Sequence, residues 1–106
     1  MNIDIKATNL ELTPALKNYI QEKMDMLDKY LGDTPLIHAH FEVELTTKHH
    51  VKGEIFRAEA NLNLPHDMLR IEKTEKDMYK AIDKVKDHLK EMIVKYKEKL
   101  VDKKRQ

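Results

Sequence analysis

Four segments of the chain alternate hydrophobic and polar residues with a period of two, which is typical of strands with one buried face. These segments are NIDIKAT, LIHAHFEVELT, EIFRAEANLNL and the shorter MLRIEK. The polar stretch TTKHHVKG between the second and third predicts a hairpin connection, and Pro65 ends the third. In the second strand, His38, His40, Glu42 and Glu44 fall on the face opposite the hydrophobic residues.

Two other segments have a period of three to four and are predicted to be helices. Thr13 caps the first helix, Pro14 suits its first position and Gly32 ends it. Its buried stripe comprises Leu16, Ile20, Met24, Leu27 and Leu31. Capping groups from Thr74 to Asp77 precede the second helix. Its stripe comprises Met78, Ile82, Val85, Leu89, Met92, Ile93, Tyr96 and Leu100.

The resulting order is β-α-β-β-β-α. It predicts an α+β two-layer sandwich, with a mostly antiparallel four-stranded sheet and both helices packed on one face. The other face of the sheet is expected to be at least partly exposed to water. At 106 residues we expect one domain, residues 1–100, followed by a flexible basic tail, residues 101–106.

Composition excludes several classes of protein. The chain has no cysteine, which removes disulfides and thiolate chemistry, and it has no serine that could act as a nucleophile. The two glycines are isolated, so no phosphate-binding loop can form. No segment approaches the roughly 18 apolar residues of a membrane span, and no secretory signal is visible. We therefore expect a cytoplasmic protein that is not an enzyme and needs no cofactor or small-molecule substrate.

Six histidines raise the question of a metal site. His38 and His40 share a strand face, but side chains two residues apart along a strand bracket a metal only if further ligands arrive from elsewhere. No third or fourth ligand is evident in the sequence, so an ordinary polar sheet face is the favoured interpretation and no metal is predicted. His49 and His50 lie in the predicted turn.

The net charge of +1 conceals an uneven distribution. Residues 1–75 hold 9 basic and 13 acidic side chains, whereas residues 76–106 hold 11 and 6. Helical geometry gathers Tyr79, Lys86, Lys90 and Lys97 on one flank of the second stripe, while a mixed flank carries Lys80, Lys84 and Lys95. If the helices lie side by side, Lys23 joins the first row. A solvated face and a polyanion-binding patch both fit this pattern.

Two motifs resemble the ribosome hibernation-promoting factor family, also described as ribosome-associated translation inhibitors. LELTPALKNYIQEKMDMLDKYL resembles the family's first helix, with its pattern L-T-x-A-L-x-x-Y-I/V-x-x-K-x-x-x-L. EKDMYKAIDKVKDHL, followed by KYKEKL, is similar to the second helix, which opens D-M/L-Y-x-A-I-D. The resemblance covers nearly the whole chain in the right order.

The resemblance implies a domain similar in shape to double-stranded-RNA-binding domains. Its implied partner is the small ribosomal subunit with its 16S-type rRNA, where family members occupy the mRNA channel and the A and P tRNA sites, inhibit translation and stabilise idle ribosomes. The rRNA-contact residues implied by position are Lys23, Lys86, Lys90, Lys95 and Lys97, with Lys17, Lys80 and Lys84 behind them. Tyr79 is expected to pack, Asp77 to cap the helix and Asp83 to form a local ion pair.

The chain departs from the family pattern in two respects. Met26, preceded by Asp25, stands where many relatives have a basic residue just before the leucine of the first helix, so this helix is less basic. Long members carry a further C-terminal domain that pairs ribosomes, so we expect this chain to be monomeric when free and not to pair ribosomes by itself. Two alternatives stay open: a general double-stranded-RNA-binding or RNA-chaperone module, and a metal-dependent enzyme using His38 and His40.

Overall fold

The computed structural model describes residues 1–46 and 53–105, in the order β1-α1-α2-β2-β3-β4-α3. The strands are β1 Asp4–Thr8, β2 His38–Thr46, β3 Ile55–Leu64 and β4 Asp67–Glu75. The helices are α1 Pro14–Asp25, α2 Asp28–Leu31 and α3 Met78–Arg105. The predicted α+β sandwich is confirmed, with the first predicted helix divided into two.

The four strands form one sheet in the order β1-β2-β3-β4. β1 and β2 are parallel, because α1 and α2 carry the chain back across the sheet between them. β2 pairs with β3, and β3 with β4, in antiparallel fashion. The sheet is therefore mixed, and two of its three pairings follow the antiparallel prediction. The predicted turn between β2 and β3, including His49 and His50, lies outside the described residues.

The first helical segment is built from the signals seen in the sequence, but it contains a break. Thr13 Oγ1 accepts a hydrogen bond from Leu16 N at 3.2 Å, and Pro14 is the first helical residue. After Met24, the N–H of Leu27 donates to the Met24 carbonyl at 3.0 Å, a tighter spacing than that of an α-helix. This local tightening separates α1 from α2, and the stripe from Leu16 to Leu31 is nevertheless buried throughout.

The core lies between the helices and one face of the sheet. The sheet contributes Ala39, Phe41, Val43, Ala58, Ala60, Leu62, Leu64 and Leu69. The long helix contributes Met78, Ala81, Ile82, Val85, Leu89, Ile93 and Tyr96. Each large apolar side chain that is fully buried stabilises the fold by about 1.5–3 kcal/mol. The stripes therefore fix both helices on the same face of the sheet, and their outer surfaces are left to solvent.

Specific contacts fix the start of α3 and a point in its C-terminal half. Asp77 caps the start, since its Oδ1 accepts from Tyr79 N at 2.8 Å, which confirms its predicted role. Further along the helix, Tyr96 donates its hydroxyl to the Pro65 carbonyl at 2.7 Å and ties α3 to the β3–β4 turn. The helix continues through Arg105, beyond the predicted domain end at residue 100. The flexibility of residues 101–106 stays a prediction.

Candidate nucleic-acid interface

The helical layer and the open face of the sheet carry opposite charge. From Met78 to residue 102, the long helix α3 has seven basic and five acidic side chains. The strand registers place five acidic side chains on the open face, namely Asp4, Glu42, Glu44, Glu59 and Glu72, and three basic ones, Lys6, Arg57 and Arg70. Among the described side chains, α3 therefore carries a net positive charge and the open face of the sheet a net negative one.

A groove runs between α1 and α2 on one side and α3 on the other, and we call it the helix groove. Its residues are Tyr19, Lys23 and Tyr30 from the first side, and Tyr79, Asp83, Lys86, Lys90 and Lys97 from α3. The five α3 residues fall within about 60° of one another around the helix axis. The flank singled out by helical geometry thus faces the first helical segment.

One end of the groove is organised around the carboxylate of Asp83. Tyr19 donates its hydroxyl to Asp83 at 2.6 Å, and Lys23 Nζ lies 3.5 Å from the same oxygen. The hydrogen bond to Asp83 raises the pKa of Tyr19 to about 12, so this hydroxyl remains a donor at neutral pH. The prediction of a local ion pair for Asp83 is wrong, because its partner Lys23 lies across the groove on α1.

Tyr79 packs as expected but also keeps a substantial exposed surface. Its ring meets that of Tyr19 edge to face, with the centroids 4.7 Å apart. At the same time 44% of Tyr79 is exposed to solvent. Lys23 Nζ lies 5.2 Å from the Tyr19 ring centroid, so a cation and two aromatic rings meet at this end of the groove.

The other end of the groove is built around Tyr30. Lys90 Nζ lies 5.1 Å from its ring centroid and Lys29 Nζ lies 5.2 Å away. Lys90, with a smaller effect from Lys29, lowers the pKa of the Tyr30 hydroxyl. Lys97 continues the row, because its Nζ lies 3.3 Å from the position that a Cβ on Gly32 would occupy. Sequence reasoning missed Tyr30, and its position one residue before the buried Leu31 was the available signal.

Lys86 lies between these two ends and is partly buried. Only 19% of its side chain is exposed, and its Nζ lies 2.5 Å from Asp87 Oδ1. The aliphatic stem therefore packs along α3 while the ammonium reaches solvent beside an acidic neighbour. The groove contains Lys23, Lys86, Lys90 and Lys97. Asp83 is acidic at one end, and Glu98 and Asp102 line a cavity with Tyr30 and Lys97 at the other.

The remaining predicted lysines lie outside the helix groove. Lys84 pairs with Glu75 of β4, and Lys95 lines a shallow cavity together with Asp67 and Met68 of that strand. Lys80 shares this flank of α3 and is exposed. Lys17 is exposed on α1, about 200° around the helix from Tyr19, which places it away from the groove. The structure thus gathers four of the eight predicted residues into one surface and separates the other four.

The open face of the sheet is organised around Arg57. Its guanidinium contacts Glu44 at 3.1 Å, Glu59 at 3.0 Å and Glu72 at 3.2 Å, and it also pairs with Glu42. Burial alone would lower the pKa of Arg57, but the hydrogen bonds to Glu44 and Glu42 outweigh it and raise that pKa. This cluster joins three strands, and it neutralises part of the negative charge on the open face.

Asp4 joins His38 and His40 as a third side chain with a metal-binding atom. The parallel register places Asp4 of β1 opposite His40 of β2. The donor atoms of Asp4, His38 and His40 lie within 4.8 Å of one another. Sequence reasoning found no third ligand because Asp4 is 34 residues from His38 along the chain, and only the β1–β2 pairing reveals it.

Within residues 1–46 and 53–105, no helix has both the length and the apolar composition that crossing a membrane requires.

Comparisons with known proteins agree with this architecture. The family described as Sigma 54 modulation protein / S30EA ribosomal protein matches residues 3–101. The chain is 33% identical over 97 residues to the ribosome hibernation promotion factor of Lactococcus lactis, and 32% identical over 97 residues to that of Staphylococcus aureus. These matches cover 92% of this chain but 50% and 48% of the two relatives. The chain therefore spans about half the length of the curated relatives it matches.

Two solved structures share the fold. The Protein Y N-terminal domain of Thermus thermophilus superposes with a TM-score of 0.77 at 33% identity, covering 91% of this chain and 99% of that one. A ribosomal subunit interface protein from Coxiella burnetii superposes with a TM-score of 0.74 at 21% identity, covering 92% and 98%, which supports the fold alone. Because the family match extends over nearly the whole chain, this protein belongs to the Sigma 54 modulation protein / S30EA ribosomal protein family.

Proposed function

We propose that this chain binds the small ribosomal subunit through its 16S-type rRNA and occupies the mRNA channel across the A and P tRNA sites. Occupying these sites would inhibit translation and stabilise idle ribosomes without any chemical reaction. Two relatives with about one third identity are named ribosome hibernation promotion factors, which supports this assignment.

The observation that carries the proposal is the row of lysines in the helix groove. From Lys86 to Lys97 the row extends about 17 Å along α3, at a rise of about 1.5 Å per residue. Lysine ammonium groups neutralise phosphates and release condensed counterions, which supplies most of the affinity for a nucleic-acid backbone. The row lies on an outer surface, and the acidic open face points away from it.

The aromatic residues of the groove add a second kind of contact. Tyr79 is 44% exposed beside Tyr19, so its ring can stack on an unpaired base as well as pack against its neighbour. Tyr30 holds Lys90 over its ring, which restricts the lysine to the groove. A groove with lysines between aromatic rings suits folded RNA that presents both phosphates and unstacked bases.

The contacts within the groove rank the predicted lysines by their expected contribution to rRNA binding. Lys90 and Lys97 are placed first, because neither forms an ion pair among the contacts resolved for the described residues. Lys23 and Lys86 follow, since Asp83 and Asp87 partly neutralise them. The four lysines outside the groove, Lys17, Lys80, Lys84 and Lys95, are placed last.

Co-sedimentation with small subunits tests the proposal. The double variant Lys90→Gln/Lys97→Gln is expected to lose most binding at moderate salt, and bound wild-type protein is expected to compete with tRNA. Lys6→Gln/Arg70→Gln is the matched control, because both side chains are exposed on the open face and the double substitution removes the same two charges. Equal losses in both variants, or wild-type protein that does not sediment with idle subunits at low salt, would contradict the proposal.

The salt dependence of binding measures the number of phosphate contacts. Each lysine that neutralises a phosphate contributes about 0.7–0.9 to the slope of log K against log salt, so the Lys90→Gln/Lys97→Gln variant should lower the slope by about 1.4–1.8. A competition experiment with duplex RNA distinguishes the proposed subunit binding from the alternative, a general double-stranded-RNA-binding or RNA-chaperone module. That alternative predicts that duplex RNA displaces the protein from subunits at comparable concentration.

A further inference from the structure

Three side chains with metal-binding atoms meet on the open face of the sheet, at the edge formed by β1. His38 and His40 project from alternate positions of β2, and their Nε2 atoms lie 2.7 Å apart. Asp4 Oδ2 lies 3.4 Å from His38 Nε2. The three atoms come from two strands, so the β1–β2 register is what assembles them.

Two of the three separations are close to those of ligands around a tetrahedral metal ion, and the third, between Asp4 and His40, is within 4.8 Å. Zinc binds imidazole nitrogen and carboxylate oxygen at about 2.0–2.2 Å, which places neighbouring ligands about 3.3 Å apart. The distance between Asp4 and His38 matches this value. The distance between the two histidines must open by about 0.6 Å. The exposed rings can make that adjustment by a small rotation, because 43% of the His38 side chain is accessible to solvent.

The arrangement of the two imidazoles is informative in itself. Two ring nitrogens at 2.7 Å form a hydrogen bond only if one carries a proton and the other does not. The rings meet edge to face, at 81° with centroids 4.2 Å apart, and both Nε2 atoms lie beside Asp4 on the exposed face of the sheet. A cation placed there takes up both lone pairs and gains the negative charge of Asp4.

The donor set selects the class of metal. Two imidazoles and one carboxylate suit zinc and neighbouring divalent transition metals, whereas magnesium and calcium prefer oxygen ligands alone. We propose that Asp4, His38 and His40 form a zinc-binding site that joins β1 to β2, with solvent completing the coordination. The site lies on the opposite face of the sheet from the helix groove, so this proposal is independent of the proposed ribosome binding.

Zinc titration of the metal-free protein by isothermal calorimetry tests the site. The wild-type protein is expected to bind zinc at this site and to show no comparable heat with magnesium. His38→Ala and His40→Ala should each weaken zinc binding by at least about tenfold, since even the loss of an outer-shell partner costs about 10- to 100-fold. Asp4→Asn should weaken it in the same direction.

Two control variants separate the site from His49, His50 and His66, three of the four other histidines. His66→Asn removes an exposed histidine at the β3–β4 turn, and the double variant His49→Asn/His50→Asn removes the adjacent pair that could bind zinc by itself. Both are expected to keep the zinc binding that His38→Ala loses. Circular dichroism without metal checks that every variant is folded, and zinc should raise the Tm only where the site is intact.

The outcomes decide the proposal in either direction. Loss of binding in His38→Ala and His40→Ala, with both controls unaffected, supports it. Wild-type-like zinc affinity in either of those variants, or a loss confined to the His49/His50 double variant, overturns it. Ribosome binding by His38→Ala should equal that of the wild type, so failure of this proposal and failure of the proposed function remain distinguishable.

Discussion

Replacing Arg57 with methionine should destabilise the protein strongly, although Arg57 lies outside both proposed sites. Its guanidinium contacts four carboxylates, and only 16% of its side chain is exposed. Removing one partner of a buried ion pair costs about 3–5 kcal/mol, because the other charge stays buried without a counterion. Glu42, Glu44 and Glu59 keep 13–26% exposure, so we expect the lower end of that range, about 3 kcal/mol.

Arg70→Met is the matched control for this substitution. Arg70 lies on the same face, but 67% of its side chain is exposed, and it reaches Glu59 at 3.5 Å. Exposed ion pairs of this kind contribute about 0–1 kcal/mol. Urea unfolding followed by circular dichroism measures both free energies. A cost for Arg57→Met within about 1 kcal/mol of that for Arg70→Met would refute the reasoning.

The dependence of this cost on pH gives a second measure of the same cluster. Burial alone would raise the pKa of Glu42, but hydrogen bonds from Arg57 and Thr8 outweigh it and lower that pKa. The pKa of Glu59 is also lowered, since Asn61, Arg70 and Arg57 outweigh the effect of its burial. The unfolded chain titrates near its ordinary pKa of about 4.3, so it binds more protons than the folded chain in acid.

This stabilisation is therefore fully present above about pH 5 and is lost as the pH falls through the lowered values of the folded state. Arg57→Met removes a cause of the lowering, so the wild type should lose more stability in acid than the variant does. The difference in urea midpoint between the two proteins should shrink between about pH 5 and pH 3. A difference that stays constant over that interval would show that Arg57 acts through packing alone.

Two further predictions concern the helix groove. Gly32 has φ +55° and ψ −124°, a conformation open essentially to glycine, so Gly32→Ala should cost about 1–3 kcal/mol in urea unfolding. Gly32→Asn should lower the free energy of unfolding by a similar amount, because this ψ lies far from the left-handed helical region that asparagine tolerates. A small loss of stability in either variant would contradict the backbone strain at Gly32. An NMR titration of the tyrosine rings should place the pKa of Tyr19 at about 12, and Asp83→Asn should move it back toward 10, whereas an unchanged value would exclude Asp83 as the cause.

The hydrophobic pattern along the sequence was sufficient to predict the strands, the helical segments and the core. The stripe from Leu16 to Leu31 is buried as predicted, because helical periodicity depends on neighbours within two turns. The division between α1 and α2 was not predicted, since the tighter bond from Leu27 to Met24 preserves the spacing of the stripe. The apolar pattern is the same for one helix or two.

Contacts between residues that are distant along the sequence are the part of both sites that could not be predicted. Helical geometry brought Lys86, Lys90 and Lys97 together correctly, because all three lie on one rigid element. Helical geometry could not show that Asp83 pairs with Lys23, since that contact depends on how far α1 lies from α3. Asp4 was missed for a similar reason. A residue's partner on another strand depends on the register, which the sequence pattern alone does not specify.

The opposite charges of the helical layer and the open face make this nearly neutral molecule an electric dipole. A net charge of +1 gives little overall attraction to a polyanion. The dipole instead exerts a torque, which turns the helices toward the polyanion before contact and keeps the acidic sheet behind. Salt should therefore slow association more than it speeds dissociation, because screening acts mainly on the approach. The fold thereby orients the molecule before any side chain touches its target.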